Sequence, residues 1–284
     1  MTIAVFDERK CSLGEGAFWH PEREQLFWFD INAKQLLTQG VKGPDHWQFE
    51  EHVSAAGWVE KAILLVASSK ALIRFNIETG DQTVVCKLES DIDATRSNDG
   101  RTDPWGGFWI GTMGKQAQVG AGSIYRYYKG KLTKLYDRLT IPNAICFSPD
   151  RNFVYYTDSA EKIIMRQSLD RNGWPEGYAI PFVDGRNEGL GPDGAVVDQD
   201  GYLWNAQWGN SRVARYSPDG TFTTALTLPA TQVSCPAFGG SDRTTLFVTT
   251  AFENLAKPSQ FDGQTFFAEV DVVGQKEHQV KLLL

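Results

Sequence analysis

A short strand signal recurring at a nearly constant period limits what this chain can fold into more than any other feature. Six runs rich in aromatic and β-branched residues stand out, at 26–30, 63–66, 107–110, 154–158, 202–205 and 245–248. With Trp28, Leu65, Trp109, Tyr156, Trp204 and Phe247 taken as equivalent, successive intervals are 37, 44, 47, 48 and 43 residues. Several runs follow a turn cluster, such as Asp103-Pro104-Trp105-Gly106, Ser148-Pro149-Asp150 and Asp198-Gln199-Asp200-Gly201. In such clusters Pro presets φ and Asp bonds its own backbone. Long helical periodicity is scarce. A repeat of roughly 40–50 residues built from short strands is the signature of a four-stranded propeller blade.

The reading predicts an all-β chain folded as a six-bladed β-propeller, one domain over residues 1–284. Pairing of strands from the two ends, 3–9 and the tail 269–273, closes the ring so that no edge stays exposed. Two β-sandwiches are the competing arrangement. They rarely repeat a Pro-Asp turn and an aromatic strand at such regular spacing, and no Pro/Ser-rich linker divides the halves.

Composition narrows the function. The 28 basic and 35 acidic side chains leave a formal charge of −7, which opposes nucleic-acid binding because that needs a basic face to displace phosphate counterions. Hydrophobic residues at 42% exclude disorder, and no apolar run approaches the roughly 18 residues of a membrane span. The start, Met1-Thr2-Ile3-Ala4-Val5-Phe6, lacks the basic and apolar regions of a signal peptide. The four cysteines, Cys11, Cys86, Cys146 and Cys235, form no CxxC pair and are expected to be reduced and buried. A cytoplasmic globular protein with no nucleic-acid or membrane partner is expected, and the sequence carries no signal for oligomeric state.

Counting backward from the aromatic runs brings out a polar phase. Glu15 and Asn143 lie thirteen residues before Trp28 and Tyr156, and Asn98 and Asp193 lie eleven before Trp109 and Trp204. The first strand of a propeller blade lines the tunnel, so equivalent positions of different blades converge, and offsets of equal parity can point the same way. Two carboxylates and two carboxamides are thus expected around one polar space. Like carboxylates so placed raise each other's pKa unless a cation intervenes. Oxygen ligands suit Ca²⁺, Mg²⁺ or Mn²⁺, and a Glu/Asn/Asp set also accommodates zinc or iron(II). The alternative is that Asp193-Gly194 and Asn98-Asp99-Gly100 are turn formers. Arg96 shares the face of Asn98 and could either neutralise tunnel acids or offer planar donors to substrate oxygens. His52 and Ser54 fall at the same offsets in the second repeat and are expected near the tunnel, with His52 a wall residue. Trp58, Trp105 and Trp208 are candidates to cap a sugar face. No P-loop or Gly-x-Ser-x-Gly elbow occurs.

Leu13-Gly14-Glu15-Gly16, Arg96-Ser97-Asn98-Asp99-Gly100 with Gly111-Thr112-Met113, Pro142-Asn143-Ala144, and Pro192-Asp193-Gly194 with Trp204 together resemble the SMP-30/gluconolactonase/LRE family, from about Cys11 to Ala251. The resemblance implies hydrolysis of a sugar lactone, with one divalent metal ion held by Glu15, Asn143 and Asp193. It further implies Asp193 as general base, Arg96 and Asn98 as substrate-binding residues, and Gln116 at a further substrate position. Where some relatives carry a Glu after Gly-Thr-Met, this chain has Gly114-Lys115-Gln116, and a lysine there favours a more anionic lactone. An organophosphate or ester hydrolase using the same tunnel, and a non-catalytic calcium-binding propeller, are the alternative functions.

Overall fold

The computed structural model describes residues 2–40 and 42–283 and contains no helix among them, and hence none long and apolar enough to cross a membrane. Its strands form six four-stranded antiparallel sheets. In five of them the strands pair in chain order. The innermost strands are Gly14–His20, Val53–Glu60, Thr95–Thr102, Pro142–Phe147, Pro192–Val197 and Gln232–Gly239, defining blades 1 to 6. Each inner strand packs against those of the two neighbouring blades, and the last meets the first, so the six close into a ring around a tunnel. This is a six-bladed β-propeller.

All six aromatic runs fall in the second strand of their blade. Those strands are covered on both faces by adjacent blades, so they read as continuous apolar stretches rather than alternating ones: every residue of Ile63–Ser68 is buried. The outermost strands face solvent, and Pro175–Asp184 has no fully buried residue. Blade-to-blade packing repeats in detail. Trp109 of blade 3 meets Phe147 of blade 4 edge-on at 5.4 Å between centroids, and Trp204 of blade 5 meets Phe238 of blade 6 in the same way at 5.8 Å.

The turn aspartates have a structural role that explains their recurrence. Asp103 Oδ2 accepts hydrogen bonds from the Trp109 indole at 3.0 Å and from Arg126 Nε at 2.7 Å, while its Oδ1 accepts the Trp105 and Gly107 amides. Asp198 does the same in blade 5, accepting the Trp204 indole at 3.0 Å and Arg215 Nη2 at 2.8 Å. One carboxylate thus ties the turn, the second strand and the third strand together. Arg126 is fully buried beneath Tyr128 and Trp174, with its guanidinium carbon 4.3 and 4.5 Å from the ring centroids. Trp105 also packs against this guanidinium, at 5.9 Å.

Closure differs in detail from the sequence expectation. Ile3–Asp7 does form the outer strand of blade 6, but its partner is Thr265–Glu269 through residues 265–268; of the expected 269–273 segment only Glu269 belongs to that strand, and it pairs with Thr245. Val270 is buried and Val272 half-buried against the core of blades 5 and 6, so burial rather than strand pairing accounts for that apolar pattern. The chain then passes under the far end of the tunnel. There Gln275 Nε2 donates to the Phe147 and Val197 carbonyls at 2.9 and 3.0 Å, and Glu277 pairs with Arg101 at 2.9 Å.

Asp103→Ala should lower unfolding free energy by about 3–5 kcal/mol, because it strands a fully buried guanidinium and an indole N–H together. Urea denaturation followed by tryptophan fluorescence measures this, and a loss under 1 kcal/mol would contradict the anchoring role.

Candidate functional site

At the open end of the tunnel the antiparallel ladder breaks in every blade. Register shifts occur between Glu15 and Phe18, Val53 and Ala55, Ser97 and Gly100, Asn143 and Cys146, Pro192 and Ala195, and Val233 and Cys235. Bulges of this kind re-aim side chains, and they favour rims and sites. Two of them use left-handed backbone, at Gly16 (φ 58°) and Ala144 (φ 58°). A Cβ on Gly16 would lie 2.1 Å from the Ser54 carbonyl oxygen, so blade 1 can approach blade 2 here only through glycine.

Side-chain donors stitch these bulges from blade to blade. Ser54 Oγ donates to the Asn98 carbonyl at 2.6 Å, Asn98 Nδ2 to the Pro142 carbonyl at 3.0 Å, and Ser159 Oγ to the Pro192 carbonyl at 2.6 Å. Ser234 Oγ donates to the Gly14 carbonyl and closes blade 6 on blade 1. Ser54 and Ser234 thus sit at the polar phase of their repeats and serve as scaffold.

Glu15, Arg96, Asn98, Asn143 and Asp193 are all buried, and all line one cavity of about 550 Å³ at this end. Arg96 Nη1 donates to Asn98 Oδ1 at 2.8 Å and to the Ser97 carbonyl at 2.9 Å, while its Nε and Nη2 make no hydrogen bond to the described residues. Asn98 Nδ2 donates to Asn143 Oδ1 at 2.8 Å, and Asn143 Nδ2 donates to Ser159 Oγ at 3.0 Å. The Asn143 oxygen therefore faces Asn98 while the Glu15 and Asp193 carboxyls lie close enough to share a hydrogen bond.

Burial first, then the Asp99 charge, push the Glu15 carboxyl up to about 8 from an ordinary 4.5, against the opposing pull of the Gly16 amide, Arg96 and the hydrogen bond with Asp193. Asp193 is raised well above its usual range by burial first, then by Glu15 and Asp99. Two buried acids whose proton affinity is raised, set in an oxygen-rich cage, form a cradle that a cation can enter by displacing protons. The chemistry of the set, carboxylate, carboxamide and carboxylate, suits a divalent ion; no third His, Cys, Asp or Glu joins as a ligand cluster among the described residues. Glu15, Asn143 and Asp193 could hold such an ion while the cavity leaves room for a small substrate beside it.

Gln116 lines the rim and is exposed, its backbone amide donating to Gln118 Oε1 at 3.1 Å. Of the three tryptophans, only Trp208 lines the cavity. Trp58 lies at the opposite end, with its indole donating to the Glu277 carbonyl, and Trp105 packs on Arg126. Both tryptophans lie too far from the cavity to cap a sugar there. His52 precedes the inner strand of blade 2 and is half-buried outside the cavity lining; burial, then Arg96, Lys115 and Lys34, lower its proton affinity.

Sequence reading missed Asp99 as a tunnel acid: the bulge turns it inward beside Asn98, where it accepts the Ile145 amide at 2.8 Å. It also missed Glu253, which lines the rim. A signal existed, since Glu253 and Lys115 each lie six residues after the aromatic marker of their repeat, in the loop leaving the second strand.

In metal-free protein, Glu15 binds more protons folded than unfolded between about pH 4.5 and 8, and Asp193 shifts in the same direction. Native stability should therefore fall as pH rises through the Glu15 window, by up to about 1.4 kcal/mol per pH unit from that group. Thermal unfolding after chelation should show this decline, and Glu15→Gln should flatten it. An unchanged slope in the variant would contradict the assigned proton uptake.

The chain matches the SMP-30/Gluconolactonase/LRE-like region over residues 13–252. It is 35% identical to the L-arabinolactonase of Azospirillum brasilense, covering 94% of this chain and 91% of that protein. It is 31% identical to the 6-deoxy-6-sulfogluconolactonase of Pseudomonas putida, with 97% of each covered. The crystal structure of regucalcin from Agrobacterium tumefaciens, described as a calcium-binding protein, superposes with a TM-score of 0.95 at 39% identity, covering 98% of this chain and 97% of that one. With this match running through the four tunnel segments, the chain belongs to the SMP-30/gluconolactonase/LRE family.

Proposed function

We propose that the protein hydrolyses a sugar lactone to the open-chain sugar acid in the cavity at the open end of the tunnel, with one divalent ion as cofactor. The observation carrying this reading is the convergence of Glu15, Asn143 and Asp193 from three blades beside Arg96 and Asn98, all buried and all facing one cavity of about 550 Å³. The names of the lactonase relatives support the substrate class.

Glu15, Asn143 and Asp193 would hold the ion, which when bound would supply Lewis-acid polarisation of the ester carbonyl. Arg96 turns its free Nε and Nη2 donors toward ring and hydroxyl oxygens, and its Nη1 bond to Asn98 fixes the plane of the guanidinium. Asn98 is held by Pro142 and Asn143, so it is oriented before substrate arrives. Asp193 receives the proton of the attacking water. Burial, then Glu15 and Asp99, raise its proton affinity, which suits it to take that proton. The proton then passes to the ring oxygen as the acyl–oxygen bond breaks, giving a hydroxy acid. Trp208 and Met113 supply apolar wall.

Asp193→Asn should lower kcat for sugar lactones by about 10²–10⁴-fold, measured with a pH indicator in the presence of each candidate divalent ion, with circular dichroism unchanged. Chelation should abolish turnover and added ion restore it. Full turnover by the chelated wild type would overturn the metal-assisted reading.

A further inference from the structure

The charges around the cavity are sorted by wall. Its acids come from blade 1 (Glu15), blade 5 (Asp193) and blade 6 (Glu253), whereas both of its cations, Arg96 and Lys115, come from blade 3. Arg96 pairs with Met113 in the ladder, and Lys115 lies two residues beyond Met113, its amide donating to the Ala94 carbonyl at 2.8 Å. The strand register therefore stacks Lys115 one step above Arg96, towards the rim. Lys115 is exposed, and its Nζ donates to the backbone carbonyl of Asp93 at 2.7 Å. The Asp93 carboxylate is taken by Lys70 at 2.7 Å, so Lys115 makes no ion pair with the described residues. Gln116 beside it is neutral. The cavity is thus polarised, with a site for a cation and a reacting ester on one side and, on the other, an exposed ammonium without an ion pair above a guanidinium; the carboxylate neighbouring that ammonium, Asp93, is already held by Lys70.

Resting on the lactonase reading, we infer that this protein selects lactones carrying a carboxylate remote from the ester, with Lys115 as the residue that sets the preference. Arg96 would contact the ring or the near end of the substituent, and Lys115 would meet the carboxylate at the rim. A fixed positive charge here favours an anionic substrate in the ground state and in the transition state alike, so its effect belongs in KM more than in kcat.

The test compares a monolactone of glucaric acid with gluconolactone, at equal ionic strength and with the activating divalent ion. Wild type should show at least about fivefold higher kcat/KM for the glucaric monolactone. Lys115→Met, which keeps length and removes charge at an exposed site, should shrink the anionic-to-neutral ratio by about fivefold, the scale of one partly exposed ion pair. Most of that change should fall in KM, and Lys115→Arg should keep the ratio within about twofold of wild type. Hydrolysis of both lactones with no preference, or an unchanged ratio in Lys115→Met, would overturn the assignment and leave the lactonase reading standing. Hydrolysis of neither lactone would overturn both.

Discussion

The site depends on side-chain hydrogen bonds that join inner strands across four of the six blade boundaries, where their own ladders fail. Ser54, Asn98, Ser159 and Ser234 each reach across a blade boundary to an inner-strand carbonyl, Ser54 to the bulge at Asn98 and the other three to the first residue of the strand. Without those donors the bulged carbonyls would be buried and unpaired, at a cost of about 1–3 kcal/mol each. With them, the bulges become fixed positions from which Glu15, Asn98, Asn143 and Asp193 project into the tunnel. Asn98 does two things at once, tying blade 4 and orienting both Arg96 and Asn143. Scaffold and recognition are the same atoms here, so changes at Asn98 would disturb both.

Electrostatics follows from this geometry. Glu15, Asp99 and Asp193 are driven together by blade convergence, and burial leaves each short of solvation. The cluster is costly as bare carboxylates and favourable once protons or a cation neutralise it, which makes affinity for a cation a consequence of packing rather than of any one residue.

Much of the fold was legible because second strands are covered on both faces and so read as dense apolar runs at the spacing of a blade. The four polar site positions were legible because inner strands converge, so a shared phase in sequence becomes a shared place in space. Local breaks in that periodicity hid the rest. Asp99 follows Asn98 directly, and strict strand alternation sends it away from the tunnel; only the bulge brings both inward. Glu253 sits in a loop beyond the second strand, where charged residues also serve the surface. Val270 to Val273 looked like a closing strand because an apolar segment under the blades and one within a sheet carry the same composition. Trp58 and Trp105 show that indole count alone does not reveal which end of a propeller a ring occupies.

The pairing of Ile3–Asp7 with Thr265–Glu269 joins segments far apart along the chain. On the ribosome the N-terminal segment must wait for more than 250 residues of synthesis before its partner exists. Until then blade 6 lacks its third strand and the outer strand Ile3–Asp7 has nothing to pair with, so a nascent or truncated chain exposes an edge able to recruit a strand from another molecule. Premature termination anywhere before Thr265 should therefore yield sticky fragments rather than smaller propellers, and slow, late completion is the kinetic signature to expect of this architecture.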